Sequence, residues 1–421
     1  MVAPRILPGL HLLMNHPELL PHLFRTEFRK ITAVLGKAFG IDRIEIAEDI
    51  ASDTFLQAIE TWSYKGIPDN PTAWLYTVAK NKAKNYLNRD HTFTEKIVDR
   101  IKEQSPQISP SEIDLSDENI YDSQLQMLFA ICHPALPAEA QIGLALRILC
   151  GFGIDEIANA FLSNKETINK RLFRAKEKLR LEKVKIEFPS PDQVHIRLEA
   201  VLTTLYLLFN EGYYSESNDS VLREDLCLEA MRLVYLLTEN TQTNTPNVNA
   251  LLALMCFHTS RFEARKGENG ETILYHDQNE NLWNRELISK GGYYLNLASK
   301  GKNISRYHLE AGIAYWHTIK TDTPEKWENI LQLYNQLLIV EYSPIAALNR
   351  TFALSKVKGN KTAILEAEKL KLQENPYYFT LLGELYFNLD KTKAKENFET
   401  ALVLAKTTAD QQIIKRKLEI L

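Results

Sequence analysis

Residues 165–185 form the segment of the sequence best suited to bind a polyanion. The segment holds nine basic and three acidic residues, a net charge of +6. Apolar residues recur at helical spacing, at Ile168, Leu172, Ala175 and Leu179. This pattern predicts an amphipathic helix that buries its apolar stripe and exposes its cations. Lysine and arginine bind phosphates, while asparagine and arginine also hydrogen-bond base edges.

A short helix and a turn are predicted immediately before this basic helix. The short helix opens at residues 154–158, residues 162–164 make the turn, and the second helix starts at Lys165. Either Ser163 or Asn164 can cap the second helix. Ser163 and Glu166 are also spaced as in a capping box. The arrangement is that of a helix-turn-helix whose second helix enters a major groove. A basic helix with a merely solvated face is the alternative.

Two more amphipathic helices are predicted nearer the start of the chain. Residues 44–62 place apolar side chains on one side of a helix. Polar side chains four residues apart lie on another face of it: Glu45, Asp49, Asp53 and Gln57.

The second of these helices is predicted over residues 72–89. A loop over residues 63–69, which includes Tyr64, precedes it, and Asn70-Pro71 suits a helix start. The polar face of the helix carries amide and cationic groups: Asn81, Lys84, Asn85, Asn88 and Arg89.

Composition excludes several classes of protein. The chain has 421 residues, 45% of them apolar and 25% charged, which is typical of a soluble globular protein with two or three domains. The net charge of −4 argues against a wholly basic nucleic-acid coat. The four cysteines are far apart, which argues against a disulfide framework and a zinc finger. No apolar run approaches the roughly 18 residues of a membrane span, and no signal peptide is recognised, so we expect a cytoplasmic protein without membrane contact.

Helical periodicity throughout the chain predicts an all-α fold. Residues 99–122 have a net charge of −5 with two prolines, and predict a linker. A second break falls at residues 188–191. Towards the end of the chain, small and large residues alternate much as in a tetratricopeptide hairpin (Phe379, Leu382, Gly383, Tyr386, Ala394, Phe398 and Ala401). We therefore expect domains at 10–95, 123–184 and 190–421, with the acidic linker at 96–122.

Two separate blocks of sequence resemble one known family. The first block consists of Leu136-Pro137, Leu144-Ala145-Leu146-Arg147, Gly153, Glu156-Ile157-Ala158, Thr167-Ile168, Arg171-Leu172 and Arg174-Ala175-Lys176. It resembles region 4 of extracytoplasmic-function (ECF) sigma factors, sigma-70 family proteins that direct bacterial RNA polymerase to promoters. The second block consists of Ala47-Glu48-Asp49-Ile50, Asp53-Thr54-Phe55, Pro71, Ala73-Trp74-Leu75, Ala79-Lys80-Asn81 and Ala83. It resembles region 2 of the same family. Leu162 is a departure, because many such turns carry glycine there.

Further motifs resemble the ECF group that carries a tetratricopeptide-like helical C-terminal domain. They are Leu128–Leu136, Leu208–Tyr213, Ala253-Leu254-Met255, Asp277-Gln278, Trp283, Trp316 and Ala347-Leu348-Asn349-Arg350. The resemblance implies two sigma domains, the region 2 bundle at 10–95 and the region 4 helix-turn-helix at 123–184, followed by this extension. No chemistry is assigned to Asp277-Gln278 or to Leu348-Asn349-Arg350, which we expect to lock helix packing or to build a partner groove.

The resemblance also implies partners and site residues. The partners are core RNA polymerase, through its β′ clamp and β flap, and promoter DNA. Binding to the β′ clamp would use Glu45, Asp49, Asp53 and Gln57. Binding to the single-stranded −10 element would use Tyr64, Asn81, Lys84, Asn85, Asn88 and Arg89. Reading of the −35 element would use Lys165, Glu166, Thr167, Asn169, Lys170, Arg171 and Arg174.

The expected function is therefore that of a sigma factor whose activity the extension controls, with a protein partner for that extension. The alternative is a helix-turn-helix regulator or scaffold that never joins polymerase. Scattered histidines and cysteines form no recognisable catalytic or metal-binding pattern, so we expect neither an enzyme nor a cofactor or metal.

Overall fold

The protein is an assembly of α-helices joined by short connections. The computed structural model describes residues 19–97, 113–213, 220–267, 273–405 and 408–421. The described residues contain no extended strand, which confirms the all-α prediction. The chain divides into two compact units, Met1–Thr243 and Asn244–Leu421.

The first unit holds nine helices within the described ranges, numbered here in chain order. They are α1 (Leu19–Phe39), α2 (Ile44–Lys65), α3 (Pro71–Ile97), α4 (Asp117–Ile131), α5 (Ala138–Leu144), α6 (Ile154–Ala160), α7 (Lys165–Leu181), α8 (Pro191–Tyr213) and α9 (Ser220–Thr238). A 3-10 turn, Ile41–Arg43, joins α1 to α2, and a π turn, Ala145–Leu149, extends α5.

Helices α1 to α3 pack through their apolar side chains, and those of α2 belong to the stripe that the sequence predicts. Phe55 of α2 lies edge-on to Phe24 of α1, with ring centroids 5.0 Å apart. Trp62 of α2 is buried and lies 5.4 Å from the ring of Trp74 on α3. Burying a large apolar side chain contributes about 1.5–3 kcal/mol, so these contacts hold the three helices together.

The ends of α2 and α3 follow from local sequence signals. Asn70 caps α3 by accepting a hydrogen bond from the Ala73 N–H at 2.9 Å, which confirms the predicted start. The predicted end of α2 is wrong, because the helix continues to Lys65 and places Tyr64 in its last turn rather than in a loop. Gly66 ends α2 with a φ of 83°, a conformation that glycine adopts without strain.

Helices α6 and α7 form the predicted helix-turn-helix. The Gly153 N–H donates to Glu156 Oε2 at 2.7 Å at the start of α6. Asn164 caps α7 by accepting from the Thr167 N–H at 2.8 Å, so Asn164 and not Ser163 is the cap. Leu162, in the turn, has a φ of 46°, where a residue with a side chain is strained.

Helix α4 begins earlier in the chain than the predicted start of region 4. Its first residue is Asp117, and Ser116 caps it by accepting from the Asn119 N–H. Residues 117–122 of the predicted acidic linker are therefore helical. Residues 98–112 of that linker lie outside the described part of the chain, as do residues 10–18 of the first predicted domain.

Helices α8 and α9 belong to the first unit although they start the predicted extension. Arg197 of α8 donates to the Phe129 carbonyl oxygen at 2.5 Å, and Arg232 of α9 donates to the Leu149 carbonyl oxygen at 2.7 Å. Tyr121 of α4 donates its hydroxyl to the carbonyl oxygen of Leu236 on α9 at 2.7 Å. These bonds attach α8 and α9 to α4 and to the turn after α5.

The second unit continues the helical pattern. Its helices are α10 (Pro246–Thr259), α11 (Phe262–Arg265), α12 (Arg285–Ala298), α13 (Arg306–Trp316), α14 (Pro324–Val340), α15 (Pro344–Lys358), α16 (Asn360–Leu370), α17 (Pro376–Tyr386), α18 (Lys391–Leu404) and α19 (Thr408–Glu419). Two glycines allow close packing, because a Cβ at Gly291 would lie 2.6 Å from Phe257 and one at Gly383 would lie 2.6 Å from Phe398.

The Leu348-Asn349-Arg350 motif contributes to packing between α14 and α15. Leu348 is buried, and Arg350 Nε donates to Asn335 Oδ1 on α14 at 2.6 Å. Asn349 hydrogen-bonds the side chain of Tyr334, which also lies on α14. The motif therefore fixes the register of two neighbouring helices, as one of its two interpretations predicts.

Candidate polymerase and nucleic-acid interfaces

The first half of α7 presents the residues predicted to read a −35 element. Lys165, Asn169 and Arg174 are exposed, as are the other predicted residues of this face except Arg171, which is half-buried. Ile168 is buried beneath them. The helix therefore presents amide and cationic groups to solvent, the groups that bind base edges and phosphates.

The ion pairs that this face makes within the molecule are weak, so a ligand can replace them. Lys165 Nζ lies 2.9 Å from Asp155 Oδ2, and Arg171 Nη2 lies 3.1 Å from Glu139 Oε2. Both carboxylates are exposed, and exposed ion pairs contribute at most about 1 kcal/mol. A phosphate or a base edge can displace either of them at little cost.

The predicted −10 residues share one exposed face of α3. Exposed residues recur along it at helical spacing, while Ala83 and Leu87 face the core. The exposed set is Asn81, Lys84, Asn85, Asn88 and Arg89. Tyr64, in the last turn of α2, is 65% exposed, so its ring is available for stacking.

The four polar residues predicted on one face of α2 (Glu45, Asp49, Asp53 and Gln57), here called the acidic stripe, differ in exposure. Asp49 and Asp53 are exposed and Gln57 is half-buried. Two apolar side chains that the sequence analysis missed lie on the same helix, Leu56 at 56% exposure and Ile59 at 44%. Their exposure could have been predicted from the sequence, because both residues fall outside the apolar stripe of the helix. The surface thus combines acidic and apolar groups.

Glu45, the fourth member of the stripe, is engaged within the molecule. It is paired with Arg180 of α7, and its Oε1 lies 3.6 Å from Lys176 Nζ. The neighbouring Glu48 is buried, accepts from Arg147 Nε at 2.8 Å and is paired with Lys176. We call these five residues the α2–α7 clasp, because they attach the second half of the basic helix to α2.

A second set of ion pairs attaches α1 to later helices. Arg25 pairs with Glu156 of α6 at 3.0 Å and with Asp225 of α9. Arg29 pairs with Glu229 of α9. Burial and the neighbouring Arg232 lower the pKa of the Arg29 guanidinium, and Glu229 opposes this shift. Helix α1, within the first predicted domain, is therefore held by carboxylates of the predicted extension.

Neither a metal site nor a membrane span is found among the described residues. No group of three His, Cys, Asp or Glu side chains there is placed to hold a metal ion. None of the helices, within the described ranges, is long and apolar enough to cross a bilayer. The four cysteines are buried free thiols.

Comparisons with known families match two parts of the chain. The family model of sigma-70 region 2 matches residues 23–92, which include most of α1, all of α2 and most of α3. The model of DUF6596, a family of unknown function, matches residues 197–299. No solved structure gives a significant match.

Two curated proteins are similar to this chain. The uncharacterized protein R00370 of Rhizobium meliloti (strain 1021) is 33% identical over 387 residues, which cover 89% of this chain and 90% of that protein. A probable RNA polymerase sigma factor of Haemophilus influenzae (strain ATCC 51907 / DSM 11121 / KW20 / Rd) is 21% identical over 150 residues, 33% of this chain and 77% of that protein. The chain therefore belongs to the same family as R00370, and its residues 23–92 are similar to sigma-70 region 2.

Proposed function

We propose that this protein is an RNA polymerase sigma factor of the ECF type, which joins core polymerase and directs it to specific promoters. The observation that carries the proposal is the match of residues 23–92 to sigma-70 region 2 together with an exposed basic recognition helix, α7, later in the chain. The similarity to a probable sigma factor of Haemophilus influenzae supports it.

The two DNA contacts are assigned to different helices. Helix α7 enters the major groove of the −35 element, where Asn169 and Arg174 reach base edges and Lys165 and Lys170 bind phosphates. The amide-rich face of α3 holds the −10 element as a single strand, and Tyr64 stacks on an exposed base.

Core polymerase is assigned to the exposed surface of α2. Asp49 and Asp53 supply negative charge for a basic partner, while Leu56 and Ile59 supply apolar area that binding removes from water. A mixed surface of this kind is better suited to a protein partner than to DNA, whose phosphates repel carboxylates. We propose the clamp helices of the β′ subunit as this partner, and the β flap as the partner of region 4.

Promoter binding by both regions requires the α2–α7 clasp to open. By their names, the −35 and −10 elements lie about 25 base pairs apart, which is roughly 85 Å of B-DNA. A compact unit of this size is roughly 45 Å across. The clasp holds α7 against α2 through Glu45 and Glu48, so one molecule in this closed form does not reach both elements.

We further propose that the C-terminal extension controls this opening. Asp225 and Glu229 of α9 pair with Arg25 and Arg29 of α1, which connects the extension to region 2. We propose that the helix pairs of the second unit form a tetratricopeptide-like domain that binds a protein partner and transmits binding through α9. Deleting residues 244–421, which leaves α8 and α9 with the first unit, is expected to change transcription strongly in one direction, and wild-type output from the truncation would contradict this role.

The central experiment measures binding to core polymerase with charge-reversed variants. The double variant Asp49→Lys, Asp53→Lys is expected to weaken binding at least about 10-fold, because it reverses two charges at the interface. Asp192→Lys is the matched control, since Asp192 is exposed on α8, outside this surface. Each protein is also tested for binding to duplex DNA, which should be unchanged.

The competing function is a DNA-binding regulator that does not join polymerase. The exposure of the recognition face within the clasped structure favours it, because α7 can reach a groove without opening. For such a regulator, the double variant would behave as the wild type in every assay, and core polymerase would not bind.

A further inference from the structure

Buried aromatic and cationic side chains surround Tyr275 in the second unit. The ring centroid of His317 lies 5.1 Å and that of Trp283 lies 6.2 Å from the Tyr275 ring. Two cations lie over the same ring, Arg261 with its Cζ at 5.6 Å and Lys326 with its Nζ at 5.2 Å. Neither sigma region nor the proposed promoter contacts include this cluster.

The two cations differ in their hydrogen bonding. Lys326 is fully buried and its Nζ donates to Tyr275 Oη at 3.1 Å, to the Ile319 carbonyl oxygen at 2.7 Å and to Asp322 Oδ1 at 3.3 Å. Arg261 is 7% exposed, and its Nε has no hydrogen-bond partner. Among the described side chains, no carboxylate lies within ion-pair distance of Arg261.

Among the described residues, the charge of the cluster is therefore only partly compensated. Arg261 and Lys326 carry two positive charges, whereas Asp322 supplies one negative charge from a side chain that is 43% exposed. Burial and these two cations lower the pKa of His317 to about 3, so the imidazole stays neutral at neutral pH. A buried positive charge without a counter-ion is unfavourable, and an anion would relieve it.

Unpaired polar atoms are concentrated in the same cluster. In addition to Arg261 Nε, the indole Nε1 atoms of Trp283 and Trp327, His317 Nδ1 and Gln278 Oε1 are buried without a partner in the described structure. Folded proteins leave few buried polar groups unpaired, and those that remain call for an explanation such as a ligand. Three of these five atoms are obligate donors, which suits an oxyanion.

We propose that the cluster around Tyr275 is a binding site for a small anion bearing a carboxylate or a phosphate group. Its oxyanion accepts hydrogen bonds from Arg261 and Trp283, and its body packs against the Tyr275 ring. Lys326 holds Tyr275 in position and adds positive charge, because its own protons are already used. The site gives a role to Trp283, a motif residue that the sigma function leaves unexplained.

The test uses the full-length protein with benzoate and with inorganic phosphate as probes, and with chloride at equal ionic strength as the reference. The thermal midpoint and the tryptophan fluorescence are measured, since Trp283 and Trp327 lie in the site. Saturable changes with benzoate alone indicate a carboxylate ligand, and changes with phosphate alone indicate a phosphate ligand. If neither probe raises the midpoint above the chloride reference, the proposal is wrong.

Variants test whether the probes bind at the Tyr275 cluster. Arg261→Gln is expected to weaken probe binding at least about 10-fold, as a charged hydrogen bond is lost. Arg306→Gln is the control, because Arg306 pairs with the exposed Glu341. Trp283→Phe keeps the ring but removes the indole N–H, and it provides the test if Arg261→Gln does not fold. A probe response that survives in all folded variants would identify an adventitious additive only and overturn the site.

Discussion

Replacing Glu48 with glutamine is expected to loosen α7 from α2. The substitution keeps the shape of the side chain but leaves Lys176 and Arg147 facing a neutral amide. Breaking a buried ion pair costs about 3–5 kcal/mol. Here Arg147 keeps the Phe152 carbonyl oxygen at 3.2 Å and Lys176 keeps Glu45 at 3.6 Å. Because these bonds remain, we expect a loss nearer about 2–3 kcal/mol.

Hydrogen–deuterium exchange resolved to peptides measures this loss locally. A loss of about 2–3 kcal/mol in the free energy of opening corresponds to exchange about 30- to 150-fold faster in the second half of α7. Asp49→Asn is the matched control, with the same chemical change at the next residue, which is exposed. Lys176→Met combined with Glu48→Gln should cost less than the sum of the two single changes. Equal exchange in Glu48→Gln and Asp49→Asn would refute the clasp.

Three further predictions concern strain, protonation and packing. Leu162→Gly should raise the free energy of unfolding by about 0.5–1 kcal/mol, because glycine adopts the positive φ without strain. Leu162→Ala should not raise it, and urea unfolding measures both variants. Lowering the pH from about 7.5 to about 5 should destabilise the second unit, with His317 contributing about 2 kcal/mol. Its pKa is about 3 when folded and near 6.5 when unfolded, so unfolding takes up a proton in that range. Thermal unfolding across pH should show a shallower slope for His317→Phe but not for the exposed His195→Phe. Gly291→Ala should lower the free energy of unfolding by about 1–3 kcal/mol, because the added Cβ overpacks against Phe257. Gly292→Ala, whose Cβ meets open space, should raise it by about 0.5–1 kcal/mol. Equal effects in calorimetry would contradict this packing.

The parts of the structure that local chemistry decides could be predicted from the sequence. Asn70 and Pro71 start α3, and Asn164 starts α7 at the predicted residue, because capping and helical period act within a few residues. The end of α2 was misplaced although Gly66 marks it. Apolar spacing ends at Trp62, and the last turn before the glycine is solvated, so the apolar pattern alone stops one turn early.

The pairings of the candidate site could not be predicted in this way. Glu45 has the same spacing as Asp49 and Asp53, yet it alone of the three faces Arg180, which lies 135 residues away. Glu48 looks like any helix-surface glutamate until α7 packs over it. Arg261 and Tyr275 likewise meet only after the second unit folds. Such contacts depend on tertiary packing, which periodicity in a single chain does not encode.

The most direct measurement is run-off transcription from fragmented genomic DNA with core RNA polymerase and the full-length protein. The sigma-factor proposal predicts discrete transcripts that require this protein and are lost with Asp49→Lys, Asp53→Lys, while Asp192→Lys retains them. If transcripts do not depend on the protein and it does not bind core polymerase, the proposal is contradicted.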